Sequence, residues 1–198
     1  MLILVRHGES TGNAEGRLLG RLDAPLTERG LEQARSLGSS LTGVTRVISS
    51  PLSRARDTAE ALGLGVPVEI DQRWIEVDYG EFDGQPLREV PAEVWLRWRE
   101  DARYRPPGGE SLAEVGIRVR KACEELFATD GDGARGGGDV VVVSHVSPIK
   151  AATCWSLGLG DQGAWRLYLA TASITRVSWG ADGPVLNRFN DTPWSRPA

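Results

Sequence analysis

Two histidines stand in the 198 residues, His7 and His145, and each closes an apolar run. Leu2 to Val5 leads into Arg6-His7-Gly8-Glu9, and Asp139 to Ser144 leads into His145. If these runs are neighbouring buried strands, the two imidazoles meet at the carboxyl edge of one sheet, where open α/β folds place their ligands. Arg54 and Arg56 lie at the start of a helical stretch, where free backbone N–H groups and the helix dipole favour an anion. A spacing of two keeps them from sharing a helix face, and Arg54 lies nearer the preceding strand, so Arg54 is the inward candidate. Glu76 follows another short apolar run among aromatic and glycine residues. A carboxyl held against apolar groups can keep its proton and act as a general acid. Two histidines, Arg6, Arg54 and one carboxylic acid suit phosphoryl transfer, which needs cations on the nonbridging oxygens, an in-line nucleophile and a proton for the leaving oxygen.

The elements that would position these groups alternate. Leu2 to Val5, Val44 to Ser49, Val66 to Ile70 and Asp139 to Ser144 have the length and composition of buried strands. Thr27 is placed to cap a helix that turns Leu31, Ala34, Leu37 and Leu41 inward. Pro51 is expected in the first turn of the next helix, which carries Ala55, Ala59 and Leu62 inward and stops at Gly63 and Gly65. From Arg73 to Gly109 the pattern gives way to tryptophans, tyrosines, arginines and prolines, an excursion over the sheet edge. Ser111 and Glu114 form a capping box for a helix inward at Leu112, Val115, Val119, Ala122 and Leu126. Gly131 to Gly138 is expected to be a surface loop, Pro148 to open another helix, and Ser173 to Phe189 to fold as a hairpin turning at Ala181-Asp182-Gly183. The fold class predicted is α/β, one domain over residues 1–198, with a mixed, mostly parallel sheet and helices on both faces.

The chain resembles the histidine phosphatase superfamily, the group that includes cofactor-dependent phosphoglycerate mutases. The resemblance rests on Arg6-His7-Gly8-Glu9 with Asn13, Asp23-Ala24-Pro25-Leu26-Thr27, Ser50-Pro51-Leu52-Ser53-Arg54-Ala55, Glu76-Val77-Asp78-Tyr79-Gly80, Pro107-Gly108-Gly109-Glu110-Ser111 and Ser144-His145, in that order. It implies a phosphoglycerate mutase-like fold and a phosphohistidine formed on His7. Arg6, Arg54 and His145 would clamp the phosphate, and Glu76 would protonate the leaving alkoxide and later deprotonate water. Asn13, Gly20 and Tyr79 would contact the substrate. His7 would have to be neutral, with one nitrogen tied to an acceptor that the sequence does not name, and His145 is expected to be cationic once phosphate is bound. Two positions depart from the family pattern. Val146 replaces the usual glycine after the second histidine, and Leu19 stands where mutases have a serine or threonine. The second departure favours a metal-independent phosphomonoesterase over a mutase. Arg97, Arg99, Arg103 and Arg105 are candidates for a second anionic group or simply a solvated face.

Other chemistries fit less well. A cysteine phosphatase needs Arg six positions after its Cys, and Thr129 and Gly160 occupy those positions after Cys123 and Cys154. Two histidines and two helix-borne cysteines fall short of a zinc hydrolase, so no metal and no cofactor are expected. A non-catalytic phosphate-binding module remains an alternative, as does mutase-type transfer. The net charge of −4 offers no global attraction to nucleic acid or anionic membrane, and the expected partner is a small-molecule phosphate ester. No apolar stretch is long enough to span a bilayer, and Leu2 to Val5 is too short for a signal sequence. A cytoplasmic protein with two reduced thiols is expected, its oligomeric state left open, homodimer included. Only two of the 23 Lys and Arg residues are lysine, Lys121 and Lys150.

Overall fold

Strands that are apolar at every position must be covered on both sides, and the computed structural model, which describes residues 1–129 and 138–195, has that arrangement. Six strands form one sheet in the order β3-β2-β4-β1-β5-β6. They are β1 (Leu2–Arg6), β2 (Val44–Ser49), β3 (Val68–Ile70), β4 (Asp139–Ser144), β5 (Ile174–Gly180) and β6 (Gly183–Asp191). β1 to β4 run parallel to one another, while β5 pairs antiparallel with both β1 and β6, which makes the sheet mixed. Alternation of side chains along the two central strands sends Leu2, Leu4, Val140 and Val142 to one face and Ile3, Val5, Val141 and Val143 to the other. The first face packs against α5 (Leu112–Thr129) and α6 (Val146–Ser156), the second against α2 (Glu28–Gly38) and α3 (Ser53–Ala61).

A third cluster of Leu18, Val90, Val94 and Trp98, with Tyr79, Trp95 and Trp165 against it, lies outside both layers. It seats α4 (Ala92–Glu100) in the aromatic excursion between β3 and α5. The expected caps form. Thr27 accepts the Gly30 N–H at 3.0 Å, and Ser111 and Glu114 exchange side-chain and backbone bonds. The hairpin is β5 and β6, and both cysteines are buried and unbridged in α5 and α6.

Several boundaries differ from expectation. A short helix, α1 (Thr11–Ala14), follows the first histidine loop, capped by Ser10 and Asn13 acting on each other. Pro51 stands ahead of α3, which starts at Ser53. Asp23 caps it by accepting the Ser53 N–H at 2.9 Å, a long-range contact that local pattern cannot supply. In α2 the buried set includes Gln33, which accepts the Glu9 N–H, while Leu31 is only half-buried and Leu41 lies past the helix end. β3 begins at Val68, two residues late, and α6 begins at Val146, two residues before Pro148. Of the glycine-rich stretch 131–138, all but Gly138 lies outside the described residues. None of the helices described is long and apolar enough to cross a membrane.

Candidate active site

β1 and β4 pair in parallel with Arg6 opposite Ser144, so the next residue of each strand is a histidine at the same sheet edge. The His7 and His145 rings lie 5.1 Å apart between centroids. The His7 backbone is fixed on both sides. Its N–H donates to the Ser144 carbonyl and its carbonyl accepts from Ala172, a buried residue held at φ 49°. The ring is pinned as well, because His7 Nδ1 lies 2.7 Å from the Gly8 carbonyl oxygen. A carbonyl only accepts, so Nδ1 carries the proton and Nε2 keeps its lone pair. Burial and the Arg54 and Arg6 charges push the His7 pKa well below its ordinary value, so the ring is neutral. Gly8 is required for this approach: a Cβ there would run into the Gly30 carbonyl. The Gly8 N–H is taken by Thr58 Oγ1 at 3.0 Å, which ties the loop to α3.

Around that bare nitrogen the cations are held from behind. Arg54 is fully buried, whereas Arg56 is exposed. Its terminal nitrogens donate to the Leu22 and Gly20 carbonyls at 2.9 and 2.7 Å. Arg6 is held by the Leu169 carbonyl at 2.6 Å. These carbonyls orient the guanidinium groups without neutralising them. Burial lowers both arginine pKa values and the Glu76 charge opposes it. Five buried side-chain polar atoms have no partner among the described residues, and three of them are Arg6 Nε, Arg54 Nε and His145 Nδ1. Unpaired buried donors are costly, and their convergence beside a free imidazole nitrogen fits a bound anion that accepts from all three.

His145 differs from the cationic ring expected with phosphate. Burial first, then Arg54, His7 and Arg6, press its pKa well below the ordinary value. The free site therefore holds it neutral, and a proton would have to arrive together with the ligand's negative charge. Its Nε2 lies 2.6 Å from Ser50 Oγ, which also accepts the Leu52 N–H at 3.4 Å. Among the described residues the Ser50 hydroxyl has no other acceptor for its proton, so that proton points to Nε2 and leaves Nδ1 as the protonated donor. Ser50 lay within the recognised motif, but its contact with a histidine 95 residues away had no local signal.

Glu76 is only 3 % exposed, yet its setting is polar where apolar neighbours were expected. Its carboxylate oxygens accept the N–H groups of Val77, Val146 and Ser147 at 2.9, 3.0 and 3.1 Å, two of them the first residues of α6. Val146 fits without strain as the first residue of that helix. Ser144 Oγ donates to the Trp74 carbonyl at 2.6 Å and so couples the end of β4 to the Glu76 segment. Tyr79 packs edge-on against Trp98, and burial together with Glu76 raises its phenol pKa. Gly20 faces Arg54 through its carbonyl, so the structure gives it a holding place behind the cation. The Asn13 carbonyl oxygen is spent on Ser10 in the α1 cap, which leaves its N–H₂ as the only end available to a ligand. Arg97, Arg99, Arg103 and Arg105 are exposed and do not converge on the histidines. Arg97 lies over Tyr104, Arg99 over Trp165, and Arg105 pairs with Glu114. Among the described residues, no three His, Cys, Asp or Glu side chains are grouped to hold a metal ion.

Known proteins resemble this chain in sequence and fold. The chain is 40 % identical over 167 residues to a glucosyl-3-phosphoglycerate phosphatase of Mycolicibacterium vanbaalenii, covering 80 % of this chain and 74 % of that protein. It is 37 % identical over 201 residues to phosphoserine phosphatase 1 of Hydrogenobacter thermophilus, covering 96 % and 92 %. The solved mycobacterial glucosyl-3-phosphoglycerate phosphatase in complex with VO3 superposes with a TM-score of 0.86 at 33 % identity, over 96 % of this chain and 98 % of that one. Mycobacterial relatives that match at 35 % identity are longer, and the chain spans about half of their length, 51 %. The family model that covers residues 2–192 is that of the histidine phosphatase superfamily (branch 1), and the chain belongs to that superfamily.

Proposed function

We propose that this chain is a phosphomonoesterase that hydrolyses a small phosphate ester in two steps through His7. The observation that carries the reading is the bare, neutral Nε2 of His7 beside three unpaired buried donors. In the first step Nε2 attacks phosphorus as the ester oxygen leaves. Arg6, Arg54 and the Nδ1–H of His145 hold the nonbridging oxygens, and Asn13 offers its N–H₂ from α1, six residues after His7. Charge that develops on those oxygens meets donors already oriented by carbonyls, which is the preorganisation that lowers such barriers. Glu76, protonated at the start of the cycle, gives that proton to the leaving oxygen and ends the step as a carboxylate. In the second step water attacks the phosphohistidine, Glu76 takes the water's proton, and His7 departs as a neutral ring. Relatives named as phosphatases of glucosyl-3-phosphoglycerate and of phosphoserine support hydrolysis of small phosphate esters.

Leu19 supports hydrolysis over mutase-type transfer. It is 9 % exposed, and a Cβ on Gly12 would collide with its side chain, so this position offers packing and no hydroxyl. The test is phosphate release across a panel of alkyl and aryl phosphate esters, with intramolecular transfer measured in parallel on a phosphoglycerate. The expected result is release as the dominant reaction. Binding of inorganic phosphate without turnover of any ester would instead support the phosphate-binding module.

A further inference from the structure

Two peptide units meet at Gly8, and each is held at both ends. In the first, the His7 carbonyl accepts from the Ala172 N–H at 3.0 Å and the Gly8 N–H donates to Thr58 Oγ1 at 3.0 Å. In the second, the Gly8 carbonyl takes the Nδ1 proton of His7 at 2.7 Å, and the Glu9 N–H donates to Gln33 Oε1 at 2.9 Å. A peptide unit is planar and moves as one body. The bond to Gln33, 24 residues along the chain from Glu9, therefore sets the angle at which the Gly8 carbonyl meets the imidazole. Among the described residues, the only other hydrogen bond of that unit is the one to the ring itself.

Gln33 is 4 % exposed, on a helix whose other buried residues are Gly30, Ala34 and Leu37. A buried amide is costly unless it is hydrogen-bonded, and this one spends its oxygen on the histidine loop. Two glycines let α2 come close enough. A Cβ on Gly8 would meet the Gly30 carbonyl, and a Cβ on Gly30 would meet the Glu9 carbonyl. The Thr27 N–H also donates to the Glu9 carbonyl at 2.9 Å, so the start of α2 grips Glu9 through its N–H and its C=O alike. Hydrogen bonds in series polarise one another, and an acceptor on the Glu9 N–H strengthens the Gly8 carbonyl as an acceptor by roughly 10–30 %. Burial and the Arg54 and Arg6 charges act against the basicity of His7, and the Gly8 carbonyl is the group that opposes them. A firm, well-aimed acceptor at Nδ1 keeps the lone pair on Nε2. A glutamine supplies it without a negative charge that would repel phosphate.

We propose that Gln33 is a positioning residue for the nucleophile: through the Gly8–Glu9 peptide it holds the His7 ring in its Nδ1–H tautomer with Nε2 free to attack, an inference that rests on the role given to His7 above. The direct test needs no substrate. Long-range ¹H–¹⁵N correlation spectra of the ligand-free protein should show the His7 ring of the wild type as a single Nδ1–H tautomer. Gln33→Met, similar in shape but without the acceptor, should show a mixture of tautomers. Its burst of nitrophenolate from p-nitrophenyl phosphate should slow by about 2- to 12-fold, one neutral hydrogen bond's worth, with KM little changed. Gln33→Glu keeps the acceptor and should retain both the tautomer and the burst rate. Gln33→Asn draws the amide back by one methylene and should behave as Gln33→Met does, so it makes the same comparison if the methionine variant fails to fold. A lower Tm with tautomer and burst rate unchanged would leave Gln33 a purely structural residue and overturn the proposal. A wild type that forms no phosphohistidine overturns the hydrolysis reading instead, while the tautomer comparison, made without substrate, still decides whether Gln33 holds the ring.

Discussion

Replacing Glu76 with glutamine separates proton delivery from architecture, because the proposed mechanism gives the side chain the first and the structure gives it the second. Its two oxygens accept from Val77, Val146 and Ser147, and Val146 reaches only Oε2, at 3.0 Å. A glutamine has one acceptor oxygen. If that oxygen keeps Val77 and Ser147, its N–H₂ faces the Val146 N–H, donor against donor, and one buried amide at the start of α6 loses its partner. An unsatisfied buried donor costs roughly 1–3 kcal/mol. For a chain of this size that is a fall in Tm of roughly 2 to 12 °C, measurable by thermal denaturation. Catalysis should suffer separately. Loss of a positioned general acid typically lowers the rate by on the order of 10² to 10⁴ when the leaving group is a poor alkoxide. Steady-state kcat on glycerol phosphate should fall by that amount at a temperature where the variant is folded. On p-nitrophenyl phosphate the loss in the first step, read as the pre-steady-state burst of nitrophenolate, should be much smaller, since that leaving group departs with little protonation. Equal losses for the two esters would refute proton delivery by Glu76. Asp78 is poorly placed to replace it, since its carboxylate accepts from Gly80 and pairs with Arg21 at 3.2 Å.

Ser50→Ala should leave His145 Nε2 buried without its 2.6 Å partner and free the ring to present either nitrogen to phosphate. The expected effect is about a tenfold loss in kcat/KM, one hydrogen bond's worth, with no change in the leaving-group dependence, read by steady-state kinetics on the same two esters. The two buried histidines also predict acid sensitivity. Their folded pKa values are depressed, so below about pH 6.5 the unfolded chain binds protons that the folded chain refuses, and stability falls with pH. The slope should approach roughly 2.7 kcal/mol per pH unit from these two groups, until the folded values are reached. Urea unfolding of the ligand-free protein between pH 7 and pH 5, compared with a His7→Gln, His145→Gln double variant, isolates it.

The sheet centre was legible because β1 and β4 carry unbroken apolar runs, and their parallel pairing with Arg6 opposite Ser144 is what brings the two histidines together. Arg54 was legible from its phase on α3. What holds these groups was not. The acceptor for His7 is a backbone carbonyl one residue away, set by a loop conformation and by the absence of a side chain at Gly8. The Arg54 restraints come from Leu22 and Gly20 carbonyls in a segment without regular structure, which leaves no periodicity to detect. Glu76 misled because its sequence neighbours are aromatic and apolar, while its spatial neighbours are amides of a helix that begins 70 residues later. The motif Asp23 to Thr27 is scaffolding: Asp23 caps α3 and Thr27 caps α2.

The central claim is that His7 Nε2 carries the phosphoryl group. Acid-labile, base-stable phosphate should appear on the protein within one turnover when a radiolabelled alkyl ester is quenched in base, and mass spectrometry should map it to His7. His7→Ala should form no such adduct and turn over no ester, while Glu76→Gln should accumulate the adduct from p-nitrophenyl phosphate because its water step lacks a base. Phosphate mapped to a serine, threonine or cysteine, or turnover retained in His7→Ala, would contradict the account.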